Sequence, residues 1–512
     1  MSGNVRVRFA PSPTGYFHVG SARAALFNWL FARQNNGTFV LRIEDTDEER
    51  NREEWTDGII SALAWLGMEP DEGPYHQSER TDNYRAAIEL LWNAGFLYPC
   101  DCSREAIDGR AKSGGKPGYD GYCRDRGLDR SDGLALRFRI PKDGGTLIDD
   151  LVRGEVFFPH SAMEDFICVK GTGKPLFVLA NVVDDRDMAI SHVIRGEDLL
   201  PTTPKQVLLW EALNAATEAE MNSSSSSDIR PLPLFAHLPL LVNEARKKLS
   251  KRRDPVAVES YQAKGYLPVA FRNYLALLGW SPKGGHEKVA LEVMIDQFDL
   301  REVNHAPAFF DVQKLTHLNG EYIREMSVEE FIEACRPWID PDVGTVASAG
   351  TGMGVEGSAN GVPWPRDHFD LEVFKVMAPL VQERVSTLGE VPAMIDFFFL
   401  TDVVIDEEAW QKSIERDENA GFILQQAREI YATCTWERDV LHDVTGEIGK
   451  ALGRALGKTQ APIRVAVTGR RVGPPLFESM QVLGREEVLK RIDAILDRID
   501  AAHGVANVDV GQ

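Results

Sequence analysis

A histidine and a glycine near the start of the chain stand where a loop gives way to a helix. The segment PSPTGYFHVG, residues 11–20, contains two prolines and two glycines, which mark a tight loop. Backbone N–H groups and the positive end of the helix dipole should converge there, as in sites that bind a triphosphate. His18 could donate to a phosphate oxygen, and Gly20 could let a flat base approach the backbone. Taken alone, such residues are more often structural.

A basic cluster at residues 246–253 offers a second set of groups for phosphate chemistry. Six of the eight residues in RKKLSKRR are Lys or Arg, in a chain whose net charge is −21. A solvated surface loop is the ordinary interpretation of such a run. Its occurrence together with the loop at 11–20 favours a phosphate-binding role, although no Walker A pattern is present.

Three of the six cysteines could hold a metal. Cys100 and Cys102 form a C-x-C pair, and Cys123 lies 21 residues beyond Cys102 in a glycine-rich stretch. Core packing explains them poorly, because few apolar residues surround them. A structural zinc site needs four ligands, so a fourth ligand must come from elsewhere. The alternative is three reduced cysteines without a metal.

The first fifty residues predict the elements that position the loop at 11–20. Residues 5–9, VRVRF, alternate in the period-two pattern of a strand, and Ser21 stands at the expected N-cap of the following helix. GTFVLRIEDTD predicts a second strand, which completes a βαβ unit with parallel strands. Arg8 and Glu44 should therefore lie at the carboxyl edge of the sheet, where open α/β folds bind ligands.

The later segments predict further units. Helical patterns run from about Glu53 to Phe96, and LALRFRIP, LIDDLVRGEVFF and DFICVKG indicate the strands of an inserted α+β module. Parallel-sheet character returns in LANVVDD and AISHVIRGED. The serine tract 222–228 predicts a surface loop and the Gly/Ala/Ser-rich stretch 341–368 a mobile one. Amphipathic helices continue to the C-terminus.

Composition is ordinary for a soluble protein of several domains, with 512 residues, 43% apolar and 26% charged. The cysteines are too few for a disulfide scaffold, and neither a secretory segment nor an apolar run of membrane-spanning length is present. We therefore expect a cytoplasmic protein. The acidic net charge lowers the expectation of nucleic-acid binding without excluding it, because an acidic body can carry a local basic path.

Several ordered motifs resemble one enzyme family. PSPTGYFHVGSARAALFNWLFAR resembles the HIGH region of class I aminoacyl-tRNA synthetases, and KLSKR at 248–252 resembles their KMSKS motif, with Lys251 at the second lysine. Other segments resemble the glutamyl-tRNA synthetases in particular, namely RFAPSPTG, LRIEDTD, DEGPY, LANVVDD, VIRGEDLLPTTP and YLALLGW. RVAVTGRRVGPPLFE resembles part of that family's anticodon-binding domain. The resemblance lapses in the serine tract and at 341–368.

The resemblance implies an α/β fold, with a Rossmann-type parallel-sheet catalytic domain, an inserted α+β acceptor-binding module and an all-α C-terminal anticodon-binding domain. The catalytic domain is expected in two halves, at 1–96 and 176–245. The inserted module is expected at 97–175, the KMSKS loop and stem-contact region at 246–324, and the helical anticodon-binding domain at 325–512.

The implied activity is activation of L-glutamate by ATP to glutamyl-adenylate, followed by transfer to the 3′ end of tRNA(Glu). ATP with Mg²⁺ is the expected cofactor system, and the enzyme is expected to be a monomer that does not bind membranes. Activation is expected to depend on bound tRNA, and charging of tRNA(Gln) is compatible with the same resemblance.

The resemblance also assigns roles to individual residues. Catalysis is assigned to His18, Gly20 and Lys251. ATP binding adds Lys248 and Ser250 to these three. Binding of the amino acid is assigned to Arg8, Ser12, Glu44, Phe177, Asn181 and Arg195.

Physical chemistry supports the amino-acid site. A carboxylate such as Glu44 suits the α-ammonium, and arginine forks suit carboxylates. An arginine that faces the side-chain carboxylate also rejects glutamine, whose neutral amide would leave the cation unpaired. Phe177 departs from the family, which usually has at this position a tyrosine that can hydrogen-bond the substrate carboxylate.

The relatives suggest two candidates for the fourth zinc ligand. Some have histidine two residues after the third cysteine, where this chain has Asp125, and others use the tyrosine four residues before it, here Tyr119. Carboxylate oxygen is an accepted zinc ligand, whereas phenolate is rarer because its proton must be displaced. The resemblance favours Tyr119, so the predicted structural zinc site consists of Cys100, Cys102, Tyr119 and Cys123.

Three other interpretations agree less well with the sequence. A glutaminyl-tRNA synthetase has a β-barrel anticodon domain, which the helical pattern after Gly320 opposes. The short paralogue that glutamylates a queuosine base lacks an anticodon domain, and this chain is too long for it. A non-catalytic tRNA-binding paralogue is the remaining alternative, but it would have lost the ATP motifs that His18, Gly20 and Lys251 represent.

Lys251→Ala should slow glutamate activation by about 100- to 1,000-fold, with a smaller effect on the glutamate KM. Removing one preorganised cation from a developing phosphate charge typically costs this much. The measurement is the initial rate of pyrophosphate exchange with tRNA present. A rate within a few-fold of wild type would mean that residues 246–253 form only a solvated loop.

Overall fold

The chain contains two compact units, residues 1–260 with 268–315 and residues 261–267 with 316–512. A computed structural model describes residues 5–47, 49–113, 117–220, 229–250, 255–343 and 362–506. The predicted serine loop at 222–228 and residues 344–361 of the predicted mobile stretch lie outside these ranges. The five domain boundaries expected from the sequence stay a prediction. No helix in the described ranges is long and apolar enough to cross a membrane.

All the described strands belong to the first unit. They are β1 Arg6–Phe9, β2 Thr38–Ile43, β3 Glu72–His76, β4 Leu97–Cys100, β5 Ala135–Phe138, β6 Gly145–Asp150, β7 Gly154–Pro159, β8 Ile167–Val169, β9 His192–Gly196, β10 Leu234–Leu238, β11 Leu241–Val242 and β12 Ala308–Phe309. Seven of these strands form one sheet in the order β3-β2-β1-β9-β10-β6-β7. Neighbours in this sheet are parallel except for the antiparallel pair β6 and β7.

The helices of the first unit precede or follow these strands, and α7 and α10 contain the points where the chain passes between units. They are α1 Val19–Gln34, α2 Glu53–Trp65, α3 Thr81–Asn93, α4 Arg104–Lys112, α5 Phe177–Asp187, α6 Thr203–Glu220, α7 Val258–Ala263, α8 Pro268–Leu277, α9 Leu291–Gln297 and α10 Val312–Glu325.

The predicted βαβ unit is confirmed by β1, α1 and β2. β1 and β2 are parallel, with Arg8 opposite Val40, and nearly all of their residues are buried. Near-continuous apolar runs are typical of parallel strands that are covered on both faces. Arg8 and Arg42 are charged exceptions in these runs, at 3% and 0% exposure.

Helix α1 begins earlier than predicted. The expectation that Ser21 is the N-cap is wrong, because His18 occupies that position with an extended backbone. His18 forms an antiparallel bridge with Ala257, and the Val19 N–H donates to the Val256 carbonyl at 2.8 Å. This backbone pairing determines where the extended chain ends and the helix starts.

Three other segments differ from the sequence prediction. LANVVDD forms helix α5 instead of a strand, because a short apolar run does not distinguish a buried helix from a buried strand; eight of the eleven residues of α5 are buried. The helical prediction from Glu53 to Phe96 is interrupted by β3. LIDDLVRGEVFF forms β6 and β7, which extend the large sheet rather than a separate module.

The other two segments predicted for the inserted module do form a separate small sheet. β4, β5 and β8 are antiparallel neighbours in that order. Their apolar residues pack with those of α3, α5 and α6 in one core, which includes Leu91, Phe138, Cys168, Leu179 and Leu209. This core connects the small sheet to the helices of the large one.

The described part of the second unit is helical, as predicted for the C-terminal domain. Its helices are α11 Val328–Ile339, α12 Leu371–Gln382, α13 Val391–Ile395, α14 Glu407–Trp410, α15 Ala420–Tyr431, α16 Arg438–Ala451, α17 Leu456–Thr468, α18 Leu476–Leu483 and α19 Arg485–Ala506. An apolar core joins α14 to α19 through residues such as Leu424, Tyr431, Leu441, Ile463 and Met480.

Candidate active site

A cavity of about 490 Å³ lies at the carboxyl ends of β1, β2, β9 and β10. Its size is typical of ligand sites, and open α/β sheets bind ligands at this edge. Nine residues that the sequence assigned to the site line it: Arg8, Ser12, His18, Gly20, Glu44, Phe177, Asn181, Arg195 and Lys248. Ser250 is not among the described lining residues, and Lys251 lies outside the described ranges.

The loop before α1 holds His18 in a defined orientation. His18 Nδ1 accepts a hydrogen bond from the Gly20 N–H at 2.9 Å, so a neutral imidazole carries its proton on Nε2. A Cβ at Gly20 would lie 3.2 Å from that Nδ1. Any larger residue would have to shift the histidine ring by a few tenths of an ångström, a constraint that the sequence alone did not show.

Buried charges surround the inner end of the cavity. Asp185 accepts hydrogen bonds from Arg8 Nε at 3.0 Å and from Arg42 Nη1 at 2.7 Å. Burial opposes ionisation of Asp185, but the two guanidinium groups outweigh it and lower the pKa of this carboxyl. Burial likewise opposes the charge of Arg42, yet Asp185, Glu44 and Asp184 together raise the pKa of Arg42.

Glu44 stands next to this group and faces the cavity. Its Oε1 accepts from Asn181 Nδ2 at 2.6 Å and from Arg42 Nη2 at 3.4 Å. Burial raises the pKa of Glu44, and the nearby Arg42 and Arg8 charges only partly offset that effect. An added cation in the cavity would therefore stabilise the ionised carboxylate.

A chain of amides connects Glu44 to Arg195. Asn181 Oδ1 accepts from Gln206 Nε2 at 3.1 Å, and Gln206 Oε1 accepts from Arg195 Nη2 at 2.6 Å. In this row of hydrogen bonds every donor faces an acceptor, so the orientation of each amide follows from its neighbours. The carboxylate and the guanidinium are consequently held on opposite sides of one cavity.

Arg195 is a buried cation whose hydrogen-bond partners are all neutral. Its side chain bonds to His237, Thr203 and Gln206, and Nη1 has no hydrogen-bond partner among the described residues. Burial and the nearby charge of Arg8 lower the pKa of Arg195 to about 9. A buried cation without a carboxylate partner is costly, and an anionic ligand in the cavity would reduce that cost.

The basic segment reaches the same cavity through Lys248. Lys248 Nζ is 3.0 Å from Asp198 Oδ2, and both side chains are more than half exposed. Beyond residues 251–254, the chain returns to the loop before α1, where the Val258 N–H donates to the Phe17 carbonyl at 2.9 Å. The two segments singled out in the sequence therefore flank one cavity.

The cavity is locally positive although the chain is acidic. Among the described lining residues there are four Lys or Arg side chains and two carboxylates, namely Arg8, Arg23, Arg195, Lys248, Glu44 and Asp198. A local excess of cations attracts anionic ligands whatever the net charge of the whole molecule. The cavity is therefore compatible with an anionic ligand despite the net charge of −21.

Sequence reasoning missed several charged and polar residues of the site. Arg42 and His237 interrupt the apolar runs TFVLRI and LFAHLPLL, and a polar residue inside a buried strand was the available signal. Asp185 was hidden because its segment was predicted to be a strand. No local pattern singled out Gln206, or Asp150, whose carboxylate lies beside the His237 imidazole 87 residues further along the chain.

The predicted metal ligands do come together, at a separate place in the first unit. The Sγ atoms of Cys100, Cys102 and Cys123 lie within 4.8 Å of one another. Tyr119 packs against them, and its hydroxyl accepts from the Cys123 N–H at 2.8 Å. Asp125 is exposed and lies 3.5 Å from an arginine. The geometry therefore favours Tyr119 over Asp125 as the fourth ligand.

Each sulfur of this cysteine cluster also faces an arginine. The donor–sulfur distances are 3.2, 3.4 and 3.3 Å for the pairs Arg137–Cys100, Arg110–Cys102 and Arg126–Cys123. Burial opposes ionisation of Cys100, but the hydrogen bond from Arg137 contributes to lowering its pKa, whereas burial and the contact with Cys123 raise the pKa of Cys102 to about 11. The thiolate is the form that binds metals.

Gly20→Ala should change the melting temperature little, because the helix-favouring effect of alanine is opposed by its close contact with the His18 ring. The new methyl would displace His18, so the catalytic efficiency for ATP should fall by about 10-fold or more. The matched control is Gly457→Ala, also at the second position of a helix, where a Cβ meets nothing within 4 Å. Unchanged steady-state kinetics for ATP in Gly20→Ala would contradict the role given to the ring.

Known proteins match the chain along most of its length. Residues 4–317 match the family of class I tRNA synthetases (E and Q), catalytic domain, and residues 330–496 match an anticodon binding domain. A glutamate–tRNA ligase of Frankia casuarinae is 51% identical over 500 residues, covering 97% of this chain and 99% of that protein. One of Thermobifida fusca is 49% identical over 507 residues, covering 97% and 98%.

A solved structure agrees with these sequence relatives. The crystal structure of a glutamate tRNA ligase from Elizabethkingia meningosepticum in complex with its amino acid superposes with a TM-score of 0.76 at 30% identity, and the match covers 97% of this chain and 99% of that one. The resemblance noted in the sequence is confirmed. The chain belongs to the class I tRNA synthetases and, among them, to the glutamate–tRNA ligase family.

Proposed function

We propose that the chain activates L-glutamate with ATP and esterifies it to tRNA. The observation that supports this most directly is the buried guanidinium of Arg195, whose Nη1 has no partner among the described residues. The cavity it lines also contains Glu44, a carboxylate suited to an ammonium group. An amino acid with a carboxylate side chain carries both complementary charges.

The remaining atoms of the site suit the same substrate. Glu44 uses Oε1 for Asn181 and Arg42, which leaves Oε2 to accept from the α-ammonium. Arg8 uses Nε for Asp185, which leaves its two terminal nitrogens for a substrate carboxylate. Glutamine would place a neutral amide against Arg195 and leave a buried cation uncompensated, so the site should discriminate against it.

The phosphates of ATP would lie by the loop before α1. N–H groups at the start of α1, His18 and the basic segment with Lys248 supply donors and positive charge there. Aminoacyl-tRNA synthetases use ATP with Mg²⁺, and the ion supplies further stabilisation of phosphate charge when bound. Lys251 is proposed to act on the same charge.

The reaction needs no nucleophile from the protein. The glutamate carboxylate attacks the α-phosphorus, the bond to the β-phosphate oxygen breaks, and glutamyl-adenylate and pyrophosphate form. A ribose hydroxyl at the 3′ end of tRNA then attacks the activated carbonyl and AMP leaves. The chain contributes positioning and electrostatic stabilisation, by which oriented donors and cations accelerate both steps.

The proposal is tested by incubating the full chain with ATP, labelled glutamate and purified tRNA(Glu). We expect ester-linked glutamate on the tRNA, and pyrophosphate exchange that requires tRNA. Parallel reactions with tRNA(Gln) show whether that tRNA is a second substrate, and light scattering tests the expected monomer. Binding of tRNA without any charging would favour a non-catalytic paralogue and overturn the proposal.

We also propose that Cys100, Cys102, Cys123 and Tyr119 hold a structural zinc ion. Support comes from the clustering of the three sulfurs within 4.8 Å and from the position of the tyrosine hydroxyl beside Cys123. Three thiolates and a phenolate would carry more negative charge than Zn²⁺ neutralises. Arg137, which contacts both Cys100 and the ring of Tyr119, would offset part of the excess, whereas Arg110 and Arg126 are shared with Asp120 and Asp101. Three sulfurs and one oxygen are an accepted kind of donor set for Zn²⁺.

Metal analysis of protein purified without chelators should give about one zinc per chain, the occupancy of one complete four-ligand site. Cys100→Ser should lose the zinc, whereas the control Cys434→Ser, in the second unit, should keep it. Tyr119→Phe should weaken zinc retention more than Asp125→Ala does, because Asp125 points to solvent and an arginine. Zinc near zero in folded, active wild-type protein would remove the site.

Phe177→Tyr should lower the glutamate KM by a few-fold, with little change in the KM for tRNA. Phe177 is half-buried, lines the cavity and lies one helical turn before Asn181. A hydroxyl on this ring can add one hydrogen bond to the substrate carboxylate, worth about 1 kcal/mol. The control is Phe31→Tyr, which is half-buried but outside the cavity lining. An unchanged or raised glutamate KM would contradict the prediction.

A further inference from the structure

A row of hydrogen-bonded side chains crosses three neighbouring strands, and Arg195 is the member of the row at the cavity. Arg195 on β9 lies opposite His237 on β10 in the register of the sheet, and Asp150 ends the adjacent strand β6. Their side chains are 6%, 0% and 2% exposed. Only the first of the three lines the cavity, so the other two can reach a ligand only through it.

The direction of each hydrogen bond in this row is determined from its far end. Asp150 Oδ2 lies 2.5 Å from His237 Nδ1. Asp150 Oδ1 accepts from the backbone N–H groups of Val152 and Arg153 at 3.0 and 2.8 Å. The carboxylate is thereby held in place with Oδ2 toward the imidazole. It therefore selects the tautomer of His237 that carries its proton on Nδ1.

His237 Nε2 must then act as an acceptor. It lies 3.2 Å from Arg195 Nε, which always donates, and 2.9 Å from Thr203 Oγ1. Burial lowers the pKa of His237 despite the hydrogen bond to Asp150, which agrees with a neutral ring. Arg195 is therefore oriented by a neutral acceptor that leaves its positive charge unneutralised. A carboxylate in place of this imidazole would pair with the arginine and compete with an anionic substrate.

We propose that Asp150 and His237 are positioning residues for recognition of the substrate carboxylate. Asp150 selects the tautomer of His237, and His237 orients the guanidinium of Arg195, which lines the cavity and whose Nη1 has no hydrogen-bond partner among the described residues. This inference rests on the proposed function, because it takes Arg195 as the group that binds the glutamate carboxylate.

Asp150→Asn is the sharpest variant. Its Oδ1 can still accept from the backbone of residues 152 and 153, so its NH₂ group should face His237 Nδ1. The ring proton would then move to Nε2, opposite the N–H of Arg195, and the acceptor would be lost. The glutamate KM should rise by about 10- to 100-fold, as for loss of a charged hydrogen bond. The KM for ATP, kcat at saturating glutamate and the melting temperature should change little.

Two variants of His237 form a matched pair. His237→Gln can place an amide oxygen near the position of Nε2, so its glutamate KM should stay within about 5-fold of wild type, whereas His237→Leu offers no acceptor and should resemble Asp150→Asn. Wild type is measured first, because a chain that does not charge tRNA with glutamate refutes the proposed function and not this inference.

Given an active wild type, three results would overturn the inference. The first is a glutamate KM for Asp150→Asn within 2-fold of wild type. The second is a joint loss of ATP affinity, glutamate affinity and thermal stability, which would indicate a purely structural row. The third is a glutamate KM for His237→Gln as high as that for His237→Leu.

Discussion

Arg8, Arg42, Glu44 and Asp185 are buried together where β1, β2 and α5 meet, and the surrounding structure depends on their mutual pairing. Removing an ion from water costs several kcal/mol unless partners replace the lost hydration. Asp185 accepts from both arginines, so one carboxylate partners a buried cation on each of the two strands, and Arg42 has Glu44 as a second partner. Loss of one member would leave an uncompensated charge, which typically costs about 3–5 kcal/mol.

The same pairing determines what the cavity presents to a ligand. Asn181 lies one helical turn before Asp185 on α5, and Phe177 one turn before that, so anchoring Asp185 carries both side chains into the cavity lining. Arg195 differs from Arg8 and Arg42, because its hydrogen-bond partners among the described residues are neutral and none is a carboxylate. The described residues thus leave the buried Arg195 without a carboxylate partner, a role that the proposed substrate would fill.

The fold and about half of the site could be predicted from the sequence because their signals are local. The β1–α1–β2 unit follows from alternation and a turn-rich loop, and the family motifs named nine residues that line one cavity. The errors at α5 and at the start of α1 have a common cause, because both depend on partners distant in sequence. The partners of α5 are the buried arginines, and the partner at the start of α1 is Ala257. Arg42 and His237 were visible only as polar residues in apolar strands, whose partners the sequence does not name.

The most direct measurement of the central claim compares L-glutamate with L-glutamine as substrates of the full chain, in wild type and in Arg195→Met, which keeps bulk and removes the charge. The ratio of kcat/KM values should favour glutamate by about 100-fold or more in wild type, because glutamine leaves the buried cation unpaired. In Arg195→Met the ratio should collapse to within about 10-fold, mostly through loss of glutamate. A preference for glutamate that survives the substitution would show that Arg195 does not read the side-chain carboxylate.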